Sequence, residues 1–365
     1  MKVVNITLHA INNYGSVYQT LATEHLFEQL GCEVETIDYI RETAQCDTVW
    51  KILRYGGPGW KIKMKQLVLH FMPRSESKRK EVLDNFRKMH LHLTDVKYRS
   101  DQDLFSNVPQ ADIYCTGSDQ TWNTEIQHGV PRAFFLAFAP EGKKRIAFSA
   151  SFGISKLPER DKADVKDLLS KYYAISVREQ SGLDILQDLG FQDAVQVLDP
   201  TMVVGSEFWD SLVASRMIEQ DYILVYQLNN NSEFVKYVND FAANKGLHVV
   251  HVRSHKEDIN NCTFIPDCTP EQLLSLFKYS SYVITDSFHA TVFSLMFHCN
   301  FMDIYPPKFP TRLESILQLT GLHSRHVTDL SRFDYADSPI DYTKVDAILE
   351  VERQKSLDFL KNAIK

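Results

Sequence analysis

Apolar and polar positions along the chain fall into two series of short apolar runs, most of them followed by a helix-period stretch. Val3–Leu8 is the first run, of strand length. A polar loop, Asn12-Asn13-Tyr14-Gly15-Ser16, leads into an amphipathic pattern over Val17–Leu30, closed by Gly31 as a helix C-cap. Glu33–Tyr39 alternates as a second strand. The chain therefore opens as strand–helix–strand, the start of a parallel doubly wound sheet. Residues 44–99 interrupt this rhythm. They carry the breaker cluster Gly56-Gly57-Pro58-Gly59 and a charged helix pattern from Ser75 to about His90. Apolar runs resume at Asp112–Thr116, Arg145–Ser149, Ala174–Val177 and Val195–Leu198, each ending in small or polar residues.

The second series begins near Tyr222. Strand patterns at Ile223–Gln227, Leu247–Val252, Tyr282–Thr285 and Asn300–Tyr305 alternate with helix patterns at Ser232–Lys245, Pro270–Tyr279 and Thr291–Phe297. The expectation is an α/β protein of two Rossmann-like doubly wound domains, 1–200 and 201–340, facing across a cleft. A final helix, Tyr342–Ile364 within segment 341–365, has no strand partner in the pattern and is free to cross back onto the first domain.

A length of 365 residues with 44% hydrophobic content suits two packed cores. No run of eighteen apolar residues predicts a membrane span, and the first residues do not read as a signal peptide, so a cytoplasmic location is expected. The six cysteines form no CxxC pair and read as free thiols. The thirteen histidines show no HExxH spacing, so a metal role is not expected, and no nucleic-acid partner is expected either. The net charge of −7 is unevenly spread: residues 51–99 hold thirteen Lys/Arg against four Asp/Glu. That basic stretch would suit an anionic partner, and Gly57–Met72 could lie as a basic amphipathic helix on an anionic membrane surface or pack on its own domain.

The candidate chemistry sits at the strand ends. TDSFHA (285–290) places His289 between a buried strand and a helix start, where free backbone N–H groups favour an anion; a capping histidine is the plainer reading. At the first turn, Asn13, Gly15 and Ser16 permit close approach of an anion to a helix start, or simply cap it. After the strand ending at Thr116, Ser118, Asp119, Gln120 and Asn123 offer hydrogen bonds, and Trp122 an aromatic face of the kind sugars stack on. The same residues would serve an Asx-turn with Trp122 as core. Arg178 ends a strand and would clamp a carboxylate or phosphate, unless it forms a solvated surface pair with Glu179. No GxGxxG occurs.

Taken in order, NNYGSVYQTLATEHLFEQLG, TGSDQTWN, FSASFG, ISVREQSG, VLDPT and VITDSFHATVFSLMFHCNF make the chain resemble the polysaccharide pyruvyl transferase family over nearly its whole length. The resemblance implies a GT-B-like fold and an active site between the domains. It further implies phosphoenolpyruvate as donor, no metal or other cofactor, and a hexose acceptor of galactose or mannose type, nucleotide- or lipid-linked, on which a cyclic pyruvate ketal is built. His289 would then be general acid or phosphate contact, and Asp119 a hydroxyl ligand or base. Arg178 would bind the donor with Asn13, Gly15, Ser16 and Ser287; Ser118, Gln120, Trp122 and Asn123 would face the acceptor. Some members carry an arginine where this chain has Ser287, which implies another cation, Arg253 or Arg312, in its place; Ala290 stands where a glycine is usual. The competing readings are a sugar-nucleotide glycosyltransferase on the same architecture and a non-catalytic sugar-binding relative.

Overall fold

A computed structural model describes residues 1–40, 78–253 and 257–365. The breaker cluster, the Gly57–Met72 segment and most of the basic run lie outside the described residues.

Seven strands form the first sheet: β1 (Lys2–Ile6), β2 (Glu33–Tyr39), β3 (Leu93–Tyr98), β4 (Ile113–Thr116), β5 (Lys144–Ala150), β6 (Ala174–Val177) and β7 (Val195–Gln196). They run parallel in the order β3-β2-β1-β4-β5-β6-β7. The second sheet holds β8 (Tyr222–Tyr226), β9 (His248–Val252), β10 (Cys262–Ile265), β11 (Tyr282–Thr285) and β12 (Phe301–Asp303), parallel in the order β10-β9-β8-β11-β12. Both are doubly wound α/β sheets, and the strand order reverses beside β1/β4 and beside β8/β11. Those reversals open crevices at the C-terminal strand ends. Central strands such as β4 and β8 are buried throughout, which is why they read as unbroken apolar runs. The edge strands β3 and β10 escaped the pattern because half-exposed edges carry Asp95, Lys97 and Thr263 among their apolar residues.

The described helices of the first domain are α1 (Tyr14–Gln29), α2 (Lys78–His90), α3 (Asp101–Ser106), α4 (Glu159–Leu169) and α5 (Gln180–Asp188). The short α6 (Pro200–Val203) and α7 (Ser206–Asp210) lead to the second sheet, whose helices are α8 (Ser232–Lys245), α9 (Pro270–Lys278), α10 (Phe288–Met296) and α11 (Thr311–Leu319). One correction concerns α1. It is not amphipathic but buried on nearly every side, because the second domain covers the face that would otherwise meet water. Some of its polar residues bond within the helix: the Thr20 and Thr23 hydroxyls donate to the Ser16 and Gln19 carbonyls, both at 2.7 Å.

The domains join through an aromatic contact. Tyr18 of α1 packs edge-on against Phe293 of α10 at 4.8 Å and Trp209 of α7 at 5.4 Å, while its hydroxyl donates to the Pro270 carbonyl at 2.7 Å. Tyr14 donates likewise to the Cys268 carbonyl at 2.6 Å. The last helix, α12 (Tyr342–Ile364), touches both domains. Tyr342 stacks on His298, Leu198 N–H donates to Ser356 Oγ at 3.0 Å, and Phe359 stacks on Phe148 of β5. No described helix is long and apolar enough to cross a membrane.

Candidate active site

The turns after β1, β4, β5 and β6 meet the β11–α10 turn across the interdomain crevice. Strand ends put them there, since each turn follows a parallel strand at the same edge of its sheet.

Arg178, one residue past β6, is the hub. Its Nη1 lies 2.8 Å from Asp199 Oδ2, its Nη2 3.2 Å from Asp119 Oδ1 and its Nε 3.7 Å from Glu179 Oε2. Its side chain has no exposure, and its guanidinium lies 4.5 Å from the Phe288 ring centre. The surface pair with Glu179 is therefore excluded. Glu179 is itself buried, accepting from Ser151 Oγ and the Phe152 and Gly153 N–H groups at 2.9, 3.0 and 3.0 Å. With its guanidinium facing three carboxylates and closed to solvent, Arg178 is placed to position the site, which corrects the expectation of a direct clamp on the donor.

The two aspartates are held from several directions. Asp199 caps α6, accepting from Thr201 N and Oγ1 at 3.0 and 2.6 Å and from Ser118 Oγ at 2.6 Å. Asp119 adopts a φ of 73°, in the left-handed region that aspartate tolerates better than most residues, and accepts from Ser16 Oγ and Gln120 N–H, both at 2.9 Å. Burial alone would raise the Asp119 carboxyl, but Arg178, His289, Arg312 and Ser16 hold it at about 2.

His289 reaches in from the first turn of α10. Its Nε2 stands 3.8 Å from Asp199 Oδ2, too far for a hydrogen bond, and has no partner among the described residues. Burial pulls its imidazole down to about 4. Gly15 packs against this ring: a Cβ there would lie 2.1 Å from Nδ1. Asn13 caps α1, its side chain accepting from the Gly15 N–H at 2.9 Å. Ser287 is the N-cap of α10 but makes no side-chain cap bond, leaving the helix start open.

The histidine shift has a sign that unfolding can measure. The unfolded imidazole, at 6.5, binds protons more readily than the folded one, so the stability it contributes is intact above 6.5 and declines as pH falls toward about 4. The Asp119 contribution is lost lower, between 3.8 and about 2. Urea unfolding from neutrality down to pH 4 should give His289→Gln a shallower loss of stability than the wild type. Equal slopes would contradict the buried neutral imidazole.

The acceptor residues divide. Trp122 is corrected to a core residue: it is fully buried, stacks on Phe135 at 5.1 Å and donates from its indole to the Phe134 carbonyl at 3.0 Å. Ser118 is spent on Asp199, and Asn123 caps the turn, its oxygen accepting from the Glu125 and Ile126 N–H groups. Gln120 alone touches the cleft edge. With its amide oxygen turned to Arg312, it accepts from Nε at 3.2 Å. That oxygen is then withdrawn from Asn123 Nδ2, which otherwise donates to it at 2.8 Å, so one acceptor faces two claimants.

Arg312, at the start of α11, is the cation that the motif strings do not contain. It sits 3.9 Å from Asp119 and 5.9 Å from the Phe288 ring centre. Burial, with Arg178 nearby, lowers its guanidinium to about 10, the mark of a charge without full compensation. Arg253 is occupied by Glu257 and Asn230 within its own domain. Of the two cations weighed, Arg312 is the one in the site. Among the described residues no group of three His, Cys, Asp or Glu side chains is gathered as for a metal ion.

The same arrangement of two domains occurs in solved structures. S. aureus MnaA, solved with UDP, is 10% identical and superposes with a TM-score of 0.51 over 99% of this chain and 91% of that one. A putative UDP-N-acetylglucosamine 2-epimerase from Listeria monocytogenes, 10% identical, gives 0.50 over 99% and 90%. At such identity the likeness is one of fold, the GT-B arrangement. No curated protein sequence matches the chain to a significant degree. The model of the family described as polysaccharide pyruvyl transferase matches residues 13–304, a span that holds Asn13, Gly15, Asp119, Arg178, Asp199 and His289 but not Arg312, and the chain belongs to that family of transferases.

Proposed function

We propose that the cleft transfers the enolpyruvyl group of phosphoenolpyruvate to a hexose of galactose or mannose type, in a surface polysaccharide precursor, as a cyclic ketal. The observation that carries this is Arg312, half-buried at the cleft and under-compensated, beside the open N-terminus of α10 and His289. Such a group asks for an anion, and the donor brings a carboxylate and a phosphate.

His289 is neutral in the empty cleft, and an anionic donor beside it favours the imidazolium, so donor binding charges the acid. The imidazolium protonates the donor methylene. One sugar hydroxyl adds to the resulting oxocarbenium-like carbon and its proton returns to His289. The C–O bond to phosphate breaks, the second hydroxyl closes the ring, and its proton leaves on the phosphate. The balance is donor plus diol giving ketal plus inorganic phosphate. A carboxylate at about 2 is a poor base, so Asp119 orients Arg178, Ser16 and Arg312 instead of abstracting a proton. This reading implies action in the cytoplasm, on a nucleotide- or lipid-linked sugar reached at the inner membrane face.

Incubation with phosphoenolpyruvate and a panel of oligosaccharides should release inorganic phosphate and add the mass of one pyruvate ketal to the acceptor. Turnover with a nucleotide sugar, and none with phosphoenolpyruvate, would replace this reading with glycosyl transfer.

A further inference from the structure

Trp122 and Ser118 are closed to a sugar, so the acceptor needs another seat. A cavity of about 290 Å³ opens at the cleft mouth, walled from the first domain by Glu125, Gly153, Ser155 and Lys156 and from the second by Phe309 and Thr311. It abuts the residues around the candidate site at three points. A Cβ on Gly153 would come within 2.7 Å of Gln120 Oε1, Thr311 precedes Arg312, and Glu125 N–H donates to Asn123 Oδ1 at 3.1 Å.

Its lining is unspent. The Glu125 carboxylate and Lys156 ammonium are exposed and form no ion pair with another described residue, and Thr311 Oγ1 is buried without a hydrogen-bond partner. Phe309 holds a φ of 62°, a conformation that bulky residues rarely adopt and that the surrounding structure must enforce. The volume lies at the low end of ligand pockets, which begin near ~300 Å³. That suits one pyranose ring and is too small for a nucleotide diphosphate sugar.

We propose that this cavity is the seat of the acceptor hexose. Glu125 and Thr311 take its hydroxyls, the Phe309 ring covers one face of the pyranose, and Lys156 meets an anionic substituent or the linkage beyond the ring. The inference rests on the pyruvyl-transfer reading for its direction, because the seat must border the donor. Nucleotide or lipid carriers would extend outward past Lys156 to solvent.

The test labels the full chain with diazirine-bearing methyl galactoside and methyl mannoside, maps adducts by mass spectrometry, and measures phosphoenolpyruvate binding by calorimetry. Adducts are expected on peptides containing 153–156 and 309–311, and Ser155→Trp and Glu125→Gln should lose them while still binding phosphoenolpyruvate. Adducts elsewhere, no adducts with either sugar, or labelling untouched by both substitutions would overturn the seat. Cavity labelling in a protein that does not bind phosphoenolpyruvate would leave the hexose seat standing and refute the donor instead.

Discussion

Arg178→Met should lose about 3–5 kcal/mol of stability, the range for breaking a buried ion pair from one side. The reason is what it leaves behind. Asp119, Asp199 and Glu179 are all buried, and Arg178 is the cation nearest to each. Methionine fills similar space but compensates none of the three charges. For a domain whose whole stability is about 5–15 kcal/mol, that is a large share. The variant should also regain stability relative to wild type as pH falls, because carboxylates stripped of their cation protonate at higher pH and then cease to repel. Arg178→Lys should rescue little, since a point charge cannot serve carboxylates at Nε, Nη1 and Nη2 together. Chemical denaturation at neutral and acid pH measures both effects. A methionine variant as stable as wild type would mean that the three carboxylates are satisfied without Arg178.

Gly15→Ala should lower kcat by about a hundredfold or more while changing the thermal midpoint little, because a displacement of roughly 1 Å at a reacting group carries that penalty. A methyl group 2.1 Å from His289 Nδ1 cannot be accommodated in place. The imidazole belongs to the second domain and Gly15 to the first, so relief comes from turning the ring or parting the domains. On the proposed pyruvyl transfer, either move would take the proton away from the donor methylene. His289→Ala supplies the comparison: it should abolish phosphate release outright, and in its background Gly15→Ala should have almost no further effect, since the ring that clashed is gone. Independent, additive losses in that double mutant would show that Gly15 acts elsewhere.

Much of this site was legible before the fold was known. A central parallel strand buried on both faces reads as a short apolar run, and its ligand edge is the polar residues that follow, so the turns at Gly15, Asp119, Arg178 and His289 could be read from patterning. Partnership could not. Arg178 and Glu179 look the same in sequence whether solvated or enclosed, and the groups that decide it lie 59 and 21 positions away, at Asp119 and Asp199. Trp122 has the chemistry of a sugar platform and the position of a core residue, and only the stacking of Phe135 tells them apart. Arg312 falls outside every motif string. What marks it is its place one residue into α11, which is meaningful only once the second domain is folded against the first. The helix α1 misleads in the opposite way: buried Thr and Gln side chains imitate a wet face, while Thr20 and Gln19 bond to the Ser16 carbonyl and Gln19 also reaches Thr7 beyond the helix.

The path of α12 bears on how the cleft can breathe. The backbone passes from one lobe to the other near Asp199 and returns along α12, where Leu198 and Ser356 clasp the two passages together. A body held at one covalent strand can swivel freely; one held at two adjacent strands works as a door on a single hinge line. Opening about that line would part Gly15 from His289 with little sideways shear, and reclosure would return the same glycine to the same imidazole.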